Sequence, residues 1–359
     1  MPPVPASLEG GRLRLGPRLT VSFQRTLRLP DRGGAAAEPG YPLPPGLGLF
    51  PLRRAADYAG RVPDAWVAER AHFFPMYRRE AMWIGFDGAP WKPNAVKVGV
   101  GGVSAVSGLP WDARLRADPQ DYVVVPEQPW LDGVVAGGGA IRQFVAVPLG
   151  EGLTVEGQLT GAERVGGVQL LAFEPRPGRF PDEPPPPPPR GQDRPWESFL
   201  MEPAPAGAGG HHAAMGLGAG GRMRQLVYPD PYGLGCWAED AHGSAVVHIV
   251  DGAGFRAITG EEPPPSPVDA RAYTAHGLPW FDLYDEGAPG VPAPEGLARV
   301  RSVGEIERER GGADRADDDP LRIDAEQVRR LEHGWDAGAG EPRPPRPPRP
   351  PRPPADEGT

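Results

Sequence analysis

The stretch VKVGVGGVSAV, Val96–Val106, reads as a β-hairpin whose two-residue turn is Gly101-Gly102. So tight a turn needs positive φ at its central residues, which glycine adopts without steric cost. Working outward, Ala81–Phe86 reads as a strand before it. After it come Asp121–Pro126 (DYVVVP), then Ile141–Leu149 (IRQFVAVPL) beyond a Gly137–Gly139 turn, then Val168–Phe173 (VQLLAF). The region Phe73–Phe173 therefore carries about six strands punctuated by glycine and proline, with almost no helix signal. This pattern argues against a nucleotide-binding βαβ fold. It predicts a mostly β protein (a β-rich α+β chain) of antiparallel sandwich or barrel-like units, with a few helices near the C-terminal end.

Upstream, Arg18–Leu29 (RLTVSFQRTLRL) alternates as a half-buried strand. Tyr41–Pro51 (YPLPPGLGLFP) has too many prolines for a regular element and is expected as an extended apolar strap along a sheet. A short helix is expected over Asp64–Arg70 with Asp64 as its cap. Downstream, strands are expected at Gln225–Tyr228, Ser244–Val250 and Phe255–Thr259. Helices are expected at Pro267–His276 (Ser266 at the N-cap), Val303–Arg310 (capping box Ser302 and Glu305) and Ala325–His333 (Asp324 as cap).

The six prolines Pro184–Pro189 and the glycine-rich Ala204–Gly221 suggest a division into an N-terminal β-domain, 12–182, a linker or excursion loop, 183–221, and a second β-unit with short helices, 222–335. The Arg-Pro-Pro tail, 336–359, is expected to lack fixed structure. Glycine and proline number 51 each in 359 residues, but much of the excess lies in these segments and the remainder has a globular composition.

The net charge of −9 argues against nucleic-acid binding, which needs a basic surface. The single cysteine, Cys236, excludes an intrachain disulfide. No secretory signal is visible at Met1–Gly11, and no apolar run is long enough to span a membrane. A soluble, cytoplasmic protein is the expectation.

Several segments carry specific motifs: YPLPPGLGLF at Tyr41–Phe50, FPMYRREAMW at Phe74–Trp83 and DPQDYVVVPEQPWLDG within Asp118–Leu149. QLTG at Gln158–Gly161, MGLGAGGRMRQLVYPDPYG at Met215–Gly233 and GLPWFD at Gly277–Asp282 add to them. Together they resemble an uncharacterised family of soluble proteins from bacteria and some fungi. The resemblance spans most of Arg18–Tyr284 and implies that these segments form one recurring unit. That family has no established activity, so the resemblance implies no catalytic residues.

The candidate sites follow from chemistry. Gly220 and Gly221, followed by Arg222 and Arg224, have the makings of an anion-binding nest with a guanidinium clamp. Cys236 with His242, His248 and the carboxylates Asp230, Glu239 and Asp240 is the one nucleophile–base grouping. His211-His212 lacks metal-ligand spacing, and no metal or cofactor is expected. Arg142 lies in an otherwise apolar strand and is expected to be solvent-facing or paired with Glu127, Asp132 or Glu156; Arg78, Arg79 and Glu80 are expected in structural pairs. Glu127 and Asp132 flank Pro129-Trp130 in the manner of a carbohydrate site, although the plainer reading is that Asp112, Asp132 and Asp282 cap turns just after each Pro-Trp.

Five tryptophans follow prolines: Trp91, Trp111, Trp130, Trp196 and Trp280. Most read as loop anchors, with Trp130 kept as a contact surface. The resulting expectation is a non-catalytic structural or ligand-binding protein, its partner a small anionic ligand or another protein. The alternatives are an enzyme in which Arg222, Arg224, Asp230, Cys236 and His248 converge, and an assembly subunit.

Overall fold

Across the Gly101-Gly102 turn Val100 pairs with Val103, and both glycines have positive φ, so the hairpin forms as read. The computed structural model describes residues 2–31, 40–137, 139–185, 214–282, 290–313 and 315–330. Its principal strands are β1 (Arg12–Leu15), β2 (Leu19–Thr26), β3 (Gly46–Leu49), β4 (His72–Pro75), β5 (Ala81–Gly88) and β6 (Asn94–Val100). They continue with β7 (Val123–Val125), β8 (Ala140–Pro148), β9 (Val168–Phe173), β10 (Ala214–Arg224) and β11 (Gly243–Val250). A separate parallel pair joins β12 (Trp280–Asp282) to β13 (Val328–Arg330). The helices are α1 (Asp64–Ala68), α2 (Val155–Thr160), α3 (Gly252–Thr259), α4 (Ala270–Ala275), α5 (Glu295–Ala298) and α6 (Val303–Glu309).

The large sheet is mainly antiparallel and has two limbs. One runs β1-β2-β5-β8-β10 and the other β11-β9-β6-β7, with β4 added in parallel to β11. The limbs meet where the first two residues of β10 pair with the last two of β11. Alternate side chains of both limbs then face each other. Val21, Phe23, Ile84 and Phe144 of one pack in the same core as Val98, Leu170 and Val247 of the other.

The outer face of the first limb is covered in turn. Leu27 and Leu29, just after β2, with Trp83, Trp130, Ile141 and Met223, meet Tyr273 of α4 and Trp280 and Phe281 of β12. Nearby, Val147 receives Val303 and Ile306 of α6.

Several expectations are corrected. Residues 255–259 are not a strand but part of α3, because the Asp251 side chain accepts from Gly254 N and Gly260 supplies a left-handed C-cap. Residues 225–228 are not a strand either: glutamine side chains, rather than a neighbouring strand, bind this backbone. Gln128 donates to Leu226 O and accepts from Tyr228 N, while Gln120 donates to Tyr228 O and accepts from Asp230 N. The helix expected from Pro267 begins at Ala270, with Asp269 and not Ser266 as its cap. In α1, Pro63 holds the N-cap and Asp64 lies in the first turn. The helix expected from Ala325 is one 3-10 turn, Ala325–Gln327, before β13. The capping box of Ser302 and Glu305 forms as read. Within the Tyr41–Pro51 strap, Gly46–Leu49 is a true strand, paired with β2.

The expected 183–221 boundary does not coincide with a break in the sheet. Residues 214–221 belong to β10, and β10 and β11 are hydrogen-bonded to β8 and β9 of the N-terminal part. The burial that a strand gains between two partners outweighs the glycine content that made the segment look like a loop. The tail from 331, most of the Pro184–Pro189 run, Trp196 and His211-His212 lie outside the described residues.

Candidate functional site

A cleft of about 190 Å³ opens where the turn between β4 and β5 meets the segments 266–271 and 315–321. Its wall is built from the turn upward. Glu80 N donates to Tyr77 O, and Arg79 occupies the left-handed region at φ 66°. Non-glycine residues adopt that conformation uncommonly, and Arg70, at φ 53°, is the other example among the described residues. At Arg79 β8 imposes it: Arg79 N donates to Ala146 O at 2.7 Å and Ala146 N donates to Glu80 O at 2.9 Å. Glu80 closes the turn, one carboxylate oxygen accepting from Tyr77 N and the other from two nitrogens of Arg25. Burial raises the Glu80 pKa, and Arg25 opposes that rise.

The lining includes Arg28, Arg78, Arg79, Arg271 and Arg315, set against Glu80, Asp269, Asp317 and Asp319. The deeper arginines are already paired. Arg28 meets Asp31 at 3.1 Å, Asp317 at 3.0 Å and also Asp318; Arg79 meets Glu307 and Asp318. Burial works against the charge on Arg28, but these carboxylates prevail and its pKa lies above the ordinary value. Arg78 reaches Glu151 at 2.8 Å and Glu307 at 2.9 Å from an exposed position. Arg315 is exposed at the rim. The Tyr77 hydroxyl is buried and has no hydrogen-bond partner among the described residues; burial, then Glu80, raises its pKa. Val268, Pro267 and Leu321 add apolar surface. A cleft of this size, with donor-rich walls and a small apolar side, suits a small organic anion. It is below the ~300 Å³ at which drug-sized pockets begin.

The residues singled out from sequence are placed differently. Gly220 and Gly221 lie in β10, neither with positive φ. A Cβ on Gly220 would come 2.5 Å from Val145 Cγ2, and one on Gly221 would come 2.4 Å from Pro30 O. These glycines serve close packing and not an open nest. Arg222 stands opposite Arg142 in the β8–β10 register, and Arg224 pairs with Asp282, its Nε 3.1 Å from Oδ1. Arg142 is partnered by Glu305, not by the expected Glu127, Asp132 or Glu156. Trp130 is 3% exposed beside Trp83, which removes it as a contact surface.

Of the five residues of the enzyme alternative, Asp230 and Cys236 are close enough to act on each other, while Arg222, Arg224 and His248 have other partners. Asp230 accepts from Tyr122 Oη at 2.6 Å and Trp237 Nε1 at 2.8 Å. His248 stacks on Trp66 at 4.1 Å and faces Glu69. Cys236 is buried, and burial followed by Asp230 pushes its thiol up to about 11. Glu127 accepts from Tyr232 Oη, and Asp132 accepts from Gln225 Nε2 at 2.7 Å. Among the described residues, no group of three or more metal-ligating side chains comes together. Likewise, no helix there is long and apolar enough to cross a membrane. Searches of protein-family models, curated proteins and solved structures each return no match.

Proposed function

We propose that the protein is a non-catalytic ligand-binding β-protein whose site is the cleft over the Tyr77–Glu80 turn, and whose ligand is a small organic anion. The observation that carries this reading is Arg79. A residue with a long charged side chain is held at φ 66°, a conformation costing of order 1 kcal/mol or more, in the wall of a cleft lined by four further arginines. Backbone strain of this kind clusters at ligand sites. Guanidinium groups recognise carboxylates through paired donors. His248 is partnered by Trp66 and Glu69 rather than by Cys236, and burial with Asp230 raises the Cys236 pKa; both favour binding over nucleophilic chemistry. The same reading places the protein in the cytoplasm, in keeping with the lone buried thiol of Cys236.

Isothermal titration against a panel of mono-, di- and tricarboxylates tests the proposal. At least one should bind saturably, with affinity at least about tenfold weaker in the rim variant Arg78→Gln/Arg315→Gln. A panel without a binder, or a rim variant that binds as the parent does, would overturn it.

A further inference from the structure

We propose that Arg142 and Arg222 form a second site, independent of the cleft, that takes a tetrahedral oxyanion such as inorganic phosphate. The two residues face each other across antiparallel β8 and β10. In that register side chains leave the same face with Cβ atoms about 5 Å apart, and like charges so placed repel. Arg222 reflects this: burial, and then Arg142, lower its pKa.

The compensation within the chain is partial. Among the described residues Glu305 is the one carboxylate ion-paired to either guanidinium, 3.6 Å from Arg142 Nη2. That is too long for a hydrogen bond, and the same oxygen already accepts from Ser302 N at 2.6 Å. Arg222 gives Nη2 to Gly137 O at 3.2 Å, while its buried Nε has no partner among the described residues. A guanidinium carries five donors, so most of the donors on this pair have no partner among the described residues. A phosphate between them would accept from both forks and cancel their repulsion. Glu305 would compete with it, since both draw on the same cations.

The test is titration of the full chain with inorganic phosphate in a chloride buffer of low ionic strength. Saturable binding is expected in the parent, at least about tenfold weaker in Arg142→Gln/Arg222→Gln. In Glu305→Gln, which can still cap Ser302 N, binding should tighten about fivefold as the competing charge is removed. The rim variant Arg78→Gln/Arg315→Gln should keep one phosphate per chain, which separates this site from the cleft. No phosphate binding by the parent, unchanged binding in the arginine-pair variant, or loss of binding in the rim variant would each sink the proposal. Should the arginine-pair variant fail to fold, the Glu305→Gln isotherm decides, and an affinity equal to the parent's would count against the site.

Discussion

The imidazole of His72 is 2% exposed in β4, and neither ring nitrogen has a hydrogen-bond partner among the described residues. Burial first, and Arg54 second, lower its pKa to about 4, with Asp57 opposing. The unfolded chain, with a histidine pKa near 6.5, therefore binds the proton more readily than the folded one. Stability contributed by neutral His72 is present above pH ~6.5 and is lost as pH falls toward 4, by up to roughly 3 kcal/mol. Urea denaturation as a function of pH should show this slope, and His72→Phe should flatten most of it. A variant with the parent's pH dependence would contradict the assignment. Glycine substitution gives a second residue-scale outcome: Gly221→Ala places a methyl group against Pro30 O and should cost about 2 kcal/mol by denaturant titration.

At the scale of elements, glutamine side chains take the place of a strand. Gln120 and Gln128 bind residues 226–230 by alternate donation and acceptance, and Gln143 does the same for Leu27 O and Leu29 N. Replacing Gln128 by Leu removes the acceptor for the buried Tyr228 N and the donor to the partly buried Leu226 O, so a loss of about 2 kcal/mol is expected in urea unfolding. A loss below 1 kcal/mol would mean that water replaces the side chain.

The same elements show where sequence reading works. The hairpin at Gly101-Gly102 and the capping box of α6 are local patterns, and each is realised; β2 forms as a strand but is buried on both faces rather than half-buried, and Leu27 and Leu29 pack on the opposite side from Leu19, Val21 and Phe23. Residues 255–259 misled because Phe255, Ala257 and Thr259 also fit a strand, and only Asp251 and Gly260 mark the ends of a helix. Arg78, Arg79 and Glu80 were legible as paired charges. Nothing in YRRE reveals that Arg79 takes a left-handed backbone, because β8 imposes it from far along the chain.

For the whole molecule, the sheet crosses the boundary that composition suggested. Two independent β-units would unfold in two steps. A sheet in which β10 pairs with β8 and β11 with β9 should unfold in one. Calorimetry with matched van't Hoff and calorimetric enthalpies checks this, and two resolved transitions would restore the divided chain. The cleft belongs to this scale as well. It exists only where the β4–β5 turn meets segments from residues 266–271 and 315–321, so no single motif could have announced it.

The junction of β10 with β11 also governs assembly in time. Val4 pairs with Gly243 and β4 with β11, so strands made early remain without these neighbours until the last third of the chain has emerged. Such long-range closure slows folding and prolongs the exposure of unpaired edges. The growing chain should therefore depend on chaperone protection until residue 250 is free of the ribosome, and refolding of the intact protein should fall at the slow end for its size.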